Sequence, residues 1–194
     1  LPKPSLPKAR RVIRAIARVT CKEILRDKVL YNVGVFGLLL IGIGFLAARL
    51  SFIRPERILI DFGVAGMNLS FTLMAILLGA QALLREQERH TIWIALSHPI
   101  HRGHFIFGKF LGVAVVIFLN WALNSLILIS ALSTQVEAWG DLWRPTLAVG
   151  LFLLLLQSFL FVALSFFLSS FMTFSMSVMV GTAVFLIGNS MGQL

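Results

Sequence analysis

The stretch that comes nearest to a nucleotide-binding motif runs from Gly103 to Lys109. Its glycine spacing resembles a phosphate-binding loop, in which backbone amides and a lysine hold nucleotide phosphates. Phe110 stands where that loop needs a hydroxyl for Mg²⁺, no strand precedes it, and a long apolar run follows. We therefore expect no ATP site in this chain. Gly108 and Gly112 are interpreted instead as small residues that allow close helix packing. Lys109 is interpreted as a side chain that extends to the interface on the inner side of a membrane.

The histidines are the other candidates for chemistry, because all four fall in one polar stretch: His90, His98, His101 and His104. Pro99 interrupts any helix that would align them, and no carboxylate or thiolate completes a ligand set. We expect solvated or interfacial histidines, with a metal site as the alternative. No nucleophile, base and acid share a depth in the apolar segments, so we predict no catalytic residue and no cofactor in this chain.

The composition predicts an all-α membrane protein. The chain is 58% hydrophobic and 13% charged, with a mean hydropathy of +0.92, whereas soluble domains carry about 25% charged residues. A soluble fold could not hide this much apolar surface, since even a soluble domain of about 150 residues buries only about 70% of the surface that its unfolded chain exposes. Most basic residues precede Leu30 or flank apolar runs, which indicates membrane orientation and not nucleic-acid binding.

Residues 1–31 are predicted to form a cytoplasmic lead-in and then an amphipathic helix from Lys8 to about Leu30. Its basic face is formed by Arg11, Arg14, Arg18 and Lys22, which recur at steps of three and four. Its other side carries Val12, Ile13, Ile16, Val19 and Ile24. We expect this helix to lie in the membrane interface with its basic face toward anionic headgroups. Packing on another protein is the alternative.

Residues 32–194 are predicted to form the transmembrane domain, with spans at about 33–53, 58–84, 105–132, 146–165 and 174–190. From Thr146 onward there is no charged side chain. One helix that long would measure about 70 Å against a hydrocarbon core of about 30 Å, so it must fold back. The polar cluster that marks the turn is Ser165, Ser169, Ser170, Thr173 and Ser175.

The charge distribution orients these spans. Thirteen of the 17 Lys and Arg residues fall on the side that holds the N-terminus and the 85–104 loop, which predicts that this side is cytoplasmic. Trp139 and Trp143, in the predicted outer loop, fit an aromatic belt at the opposite interface.

Between spans 2 and 3 the polar loop 85–104 alternates acids and bases and then continues with Ile92, Ile94 and Leu96. This pattern favours a short helix parallel to the membrane, which Pro99 ends. Such a helix suits contact with a soluble partner, and a solvated connector is the alternative.

The chain resembles the ABC-2 type permeases of bacterial ABC exporters from about Arg18 to Met191. Their loop carries an acidic pair, a Gly-Thr step, a Leu-Leu-Ser-x-Pro-x-x-Arg run and then Gly-Lys-x-x-Gly. Glu86 and Glu88 supply the acidic pair here, and His90 stands where the family often has glycine. The other matching residues are Thr91, Leu96, Ser97, Pro99, Arg102, Gly108, Lys109 and Gly112. The match is closest to the subgroup that serves multicopper-enzyme maturation.

The resemblance implies a coupling helix seated in a separate ATPase subunit, which would bind ATP and Mg²⁺. The residues that would transmit the motion are Glu86, Glu88, Arg89, Thr91, Leu96, Pro99 and Arg102. It also implies an elbow helix before span 1, pairing of two copies and a place in the bacterial inner membrane. The family usually has six spans and this sequence shows five. A non-transporting scaffold or assembly anchor with this fold is therefore the alternative function, and a membrane-embedded enzyme a third.

Five polar side chains interrupt the predicted spans: Asn68, Gln81, Asn120, Asn124 and Gln157. Amides cost free energy in lipid unless they are paired, so these should face other helices. Interhelical hydrogen bonding is the favoured role, and lining a substrate path is the alternative.

Overall fold

A computed structural model describes residues 9–50, 55–88, 102–134 and 145–191. Over these residues the chain forms six α-helices and no strand. The helices are α1 (Ala9–Leu25), α2 (Lys28–Leu50), α3 (Pro55–Glu88), α4 (Arg102–Ser133), α5 (Pro145–Ser169) and α6 (Phe174–Met191). The predicted all-α membrane fold is confirmed.

Four of the described helices are long and apolar enough to cross a membrane. Their apolar stretches are Leu30–Leu50, Glu56–Ala82, Gly103–Ser133 and Leu147–Ser169. The shorter helix α6 has 18 residues, which gives a length of about 27 Å, close to a hydrocarbon core of about 30 Å. A fifth span, and the division into residues 1–31 and 32–194, stay predictions.

A two-residue break separates α1 from α2, where the sequence suggested one helix to about Leu30. The Arg26 and Asp27 amides donate to the carbonyls of Glu23 (3.2 Å) and Ile24 (2.8 Å), which closes α1 with tightened turns. Asp27 directly precedes α2, and aspartate is a preferred residue at a helix start. The first helix therefore ends earlier than predicted.

The turn between α5 and α6 falls inside the predicted polar cluster. The amides of Ser170 and Phe171 donate to the carbonyls of Phe167 (3.2 Å) and Leu168 (3.1 Å), which ends α5. The Thr173 carbonyl accepts from the Ser177 amide at 2.9 Å and so opens α6.

The described residues form two compact units. The hairpin unit comprises Lys28–Ala75 and Ile117–Leu160, and the elbow unit comprises the described residues of Leu1–Asp27, Ile76–Val116 and Phe161–Leu194. Within the hairpin unit α2 and α3 run antiparallel, because residues later in α2 contact residues earlier in α3. A β-carbon at Gly44 would lie 2.8 Å from the Phe62 Cβ, and one at Gly66 would lie 2.6 Å from the Leu40 Cβ. Glycine therefore lets the two helices approach closely.

The hairpin unit has an apolar core to which α2, α3, α4 and α5 all contribute. Its buried members are Ile41, Ala48, Leu59, Met67, Phe71, Leu128, Leu132, Leu151 and Leu154. Trp121 packs against this core, and its indole N–H donates to the Leu151 carbonyl at 2.9 Å. The one polar group of this large side chain is thus satisfied, as burial requires.

Candidate functional site

The elbow helix α1 docks on α4 at the two glycines of the Gly-Lys-x-x-Gly motif. A β-carbon at Gly108 would lie 3.0 Å from the Ile16 Cβ and 3.3 Å from the Ile13 carbonyl oxygen. A β-carbon at Gly112 would lie 2.7 Å from the Thr20 Cβ. The glycines thus form a flat face that α1 occupies, and we call this contact the elbow junction.

At the elbow junction the two helices run in the same direction. Ile16 meets Gly108 and Thr20 meets Gly112, so one step of four residues on α1 matches one step of four on α4. Glycines four apart lie on one face of a helix, which is the spacing that close helix pairs use. The sequence predicted close packing at Gly108 and Gly112 but did not identify α1 as the partner.

Lys109, between these glycines, is buried within the protein. Its side chain is 4% exposed, and its ammonium donates to the Ala82 carbonyl of α3. The Nζ atom also lies 5.4 Å from the centroid of the Phe105 ring, within reach of a cation–π interaction. The expectation that Lys109 extends to the membrane interface is therefore wrong. A buried ammonium needs hydrogen-bond acceptors, and this fold supplies one from the neighbouring helix.

A small cavity of about 20 Å³ lies beside Lys109. Its lining residues are Thr20, Glu23, Ile24, Asp27, Leu78, Gln81, Ala82 and Lys109. That volume has room for about one water molecule, which needs roughly 10–15 Å³. The wall carries one carboxyl residue from the last turn of α1, one from the break after it, and the lysine of α4. Gln81, predicted as a polar residue within a span, belongs to this cavity.

The basic face of α1 points away from the junction. Arg14, Arg18 and Lys22 are exposed, and Val19 is 66% exposed beside them. The stripe that includes Ile16 and Thr20 is occupied by α4, so part of the predicted bilayer-facing side is covered by the protein's own chain. The role of the basic face at lipid headgroups stays a prediction. The side chain of Arg11, and Trp139 and Trp143, lie outside the described residues.

The predicted coupling-loop residues come shortly before the glycines of the elbow junction in the sequence. Glu86 and Glu88 belong to the end of α3, and Arg102 is the first residue of α4, although these three side chains are outside the described part. Arg89, Thr91, Leu96 and Pro99 also lie outside the described residues. The helix ends that flank the loop are therefore known, and the roles of its residues stay predictions.

Two of the predicted polar residues of the spans join different helices. The Gln157 amide of α5 donates to the Asn68 Oδ1 of α3 at 3.0 Å. Within α4, the Asn124 amide donates to the Asn120 Oδ1 at 2.8 Å. Asn124 is 1% exposed, and its own Oδ1 has no hydrogen-bond partner among the described residues. The Asn68–Gln157 bond is interhelical, as favoured from the sequence, whereas the Asn120–Asn124 bond lies within one helix. A path-lining role stays a prediction.

Replacing Gln157 with leucine should destabilise the protein by about 0.6 kcal/mol, and by no more than about 1.7, as interhelical bonds in membranes generally do. The Asn68 amide would lose the partner that satisfies its oxygen. The double change Asn68→Leu with Gln157→Leu should cost less than the sum of the single changes, because no orphaned amide remains. Unfolding in detergent with increasing denaturing surfactant measures all three, and strictly additive losses would contradict the pairing.

Within the described helices, no three His, Cys, Asp or Glu side chains lie close enough to share a metal ion. His104 is half-buried in α4, and the other three histidines lie outside the described residues. The expectation of solvated histidines, without metal, stays a prediction.

Comparison with known proteins identifies the family. Residues 14–192 match the family described as ABC-2 family transporter protein. The probable ABC transporter permease protein NosY of Pseudomonas aeruginosa is 30% identical over 135 residues, which are 66% of this chain and 49% of that protein. The chain thus spans about half the length of this relative. Because the family match covers most of the sequence, the chain belongs to the ABC-2 family of transporter proteins, and four of its described helices are long and apolar enough to cross a membrane.

Proposed function

We propose that this chain is the permease subunit of an ABC exporter in the bacterial inner membrane. A separate ATPase subunit binds ATP and Mg²⁺, two permease copies pair around the path, and the N-terminus is cytoplasmic. The observation that carries the proposal is the family match over residues 14–192. The charge distribution, the loop residues shared with the family, and the printed name of the relative support it.

In the proposed mechanism the ATPase subunit binds the 85–104 loop and moves it when ATP binds to the ATPase. The helices on either side are long and continuous: α3 has 34 residues and α4 has 32. Helices of that length carry a displacement at one end along their whole length, as in other rigid-body transitions. ATP shifts the equilibrium between the inward-open and outward-open permease because the ATPase binds it more tightly in one of these states.

The lipid bilayer holds the elbow helix in this mechanism. Arg14, Arg18 and Lys22 are exposed on one face of α1, and Arg11 belongs to the same predicted face. A basic side chain near an anionic membrane surface contributes about 1 kcal/mol of attraction. The helix would therefore stay at the cytoplasmic interface while it follows α4.

Co-purification tests the proposal. When the chain is affinity-purified in mild detergent from its native membrane, we expect a nucleotide-binding ATPase subunit to accompany it. Recovery without any ATPase would contradict the exporter proposal and favour the scaffold.

Loop variants test the coupling role. Glu88→Ala and Arg102→Ala should retain the bound ATPase but fail to restore function in a strain that lacks this chain, since the loop no longer transmits the motion. Arg57→Ala, which removes an exposed arginine from the other end of α3, is the control and should restore function. If both loop variants restore function like the parent, the loop assignment is wrong.

A further inference from the structure

We infer that Lys109 links the elbow helix α1 to the last turns of α3, which lead into the 85–104 loop, so that α1 and this end of α3 move together. We call this link the tie. The tie itself rests on the contacts of the elbow unit. Its mechanical consequence, that force on the loop reaches α1, rests on the proposed function.

On the α3 side, the tie is the hydrogen bond from the Lys109 ammonium to the Ala82 carbonyl. Ala82 lies one helical turn before Glu86, where the loop residues shared with the family begin. Hydrogen bonds from a charged donor are about twice as strong as neutral ones. Because the Lys109 side chain is only 4% exposed, bulk water does not compete for this ammonium. The end of α3 is therefore held to α4 at this carbonyl.

On the α1 side, the tie passes through the cavity. Asp27, half-buried in the break after α1, and the exposed Glu23, in the last turn of α1, line it together with Lys109. Opposite charges attract more strongly near low-dielectric protein than in bulk water, so the half-buried Asp27 carboxylate, more than the exposed Glu23, favours a position of α1 beside the buried ammonium. A single water molecule fits the space between these groups. The same ammonium thus serves both the elbow helix and the base of the loop.

The glycines on either side of Lys109 make the connection stiff. Gly108 and Gly112 bring α1 against the α4 backbone, so the Lys109 backbone has little freedom to move relative to α1. Packed interfaces of this kind shift between discrete arrangements and do not deform continuously. A movement of the α3 end therefore reaches α4 through the Lys109 side chain, and it reaches α1 through the cavity and the glycine contacts.

A lysine that served only to anchor α4 at the membrane interface would have to reach the headgroups. Burial of Lys109 and its carbonyl acceptor on α3 exclude that role in this arrangement. A lysine that served only to stabilise the fold would leave energy coupling intact when replaced. Measurement of α1 mobility and of coupling separates the two roles.

The first experiment uses the full chain alone in lipid nanodiscs, with a nitroxide on Val19→Cys in a Cys21→Ser background. Val19 is exposed, so the label does not disturb the junction. Lys109→Met should increase the mobile spectral component at least about two-fold, because a neutral side chain no longer attracts the acidic end of α1. Lys109→Arg should resemble the parent, and so should the control Lys28→Met at an exposed lysine. Identical spectra for Lys109→Met and the parent would overturn the tie.

A second variant keeps the test decisive if Lys109→Met does not fold. Asp27→Asn leaves Lys109 in place and retains a good helix-start residue, while it removes one charge from the cavity. We expect a smaller increase in label mobility at position 19. No increase would count against the cavity as the α1 side of the tie.

The second experiment uses the complex with its ATPase. Lys109→Met should keep ATPase binding within about two-fold of the parent but lower the permease-dependent stimulation of ATP hydrolysis about five-fold, a change of roughly 1 kcal/mol in activation free energy. Raised mobility with unchanged stimulation would overturn the mechanical consequence. If the parent chain binds no ATPase, the proposed function fails, while the nanodisc spectra still decide the tie.

Discussion

Replacing Gly112 with leucine should release α1 from α4 and destabilise the elbow unit by about 1–3 kcal/mol, the usual cost of overpacking. A β-carbon there would lie 2.7 Å from the Thr20 Cβ and 3.0 Å from the Ala17 carbonyl oxygen. Because both neighbours are at or next to the α1 backbone, no rotation of a side chain can relieve the clash. The helix itself has to move away.

Gly103→Leu is the matched control on the same helix. It makes the same chemical change, but a β-carbon at Gly103 would meet nothing within 4 Å. We expect this variant to be as stable as the parent, or up to about 1 kcal/mol more stable, since glycine is a poor helix former. Limited proteolysis of residues 9–25 in nanodiscs checks both variants. Equal cleavage of the two would mean that α1 is not docked on Gly112.

The fold class was predictable from the sequence because the bilayer leaves few alternatives. A backbone in lipid must satisfy its own hydrogen bonds, so each long apolar run implies a helix. The turn between α5 and α6 was predictable as well, since a single uncharged helix from Thr146 would exceed the membrane thickness. The break between α1 and α2 was missed, because Arg26 and Asp27 continue the polar pattern of a helix and contain neither glycine nor proline.

The partner of the Gly-x-x-x-Gly face was not predictable. Spacing shows that Gly108 and Gly112 share a flat face, but it does not say which helix occupies that face. Lys109 was misassigned for the same reason: a lysine at the start of an apolar run normally reaches the interface. Only the three-dimensional contact with Ala82 reveals its acceptor.

The hydrogen bonds of the polar residues were likewise predictable only where they lie within one helix. Asn120 and Asn124 are four apart on one helix, so their contact follows from local geometry. Asn68 and Gln157 are 89 residues apart, and five candidate amides allow many pairings. The sequence therefore identified which amides need partners, and the packing of α3 against α5 determined which partner Gln157 has.

Replacing Gly44 with leucine should be at least as damaging, because α2 and α3 interlock at several levels. The Gly44 position would place a β-carbon 2.8 Å from the Phe62 Cβ, and one turn away Leu40 fills the space at Gly66. Further along, Ser70 donates to the Val33 carbonyl at 2.8 Å. A leucine that separates the helices at one level weakens the contacts at the others. We expect a loss of about 3 kcal/mol, at the upper end of the overpacking range.

Gly42→Leu tests whether this loss comes from the close approach of α2 and α3 or from the leucine itself. Gly42 lies two residues away on α2, is exposed, and would place its β-carbon near nothing within 4 Å. Both variants add the same apolar surface to the same membrane helix, so insertion and helix propensity change equally. Unfolding by denaturing surfactant should separate the two stabilities by about 3 kcal/mol. Equal stabilities would mean that α2 does not approach α3 at Gly44, and the antiparallel hairpin would lose its main physical support.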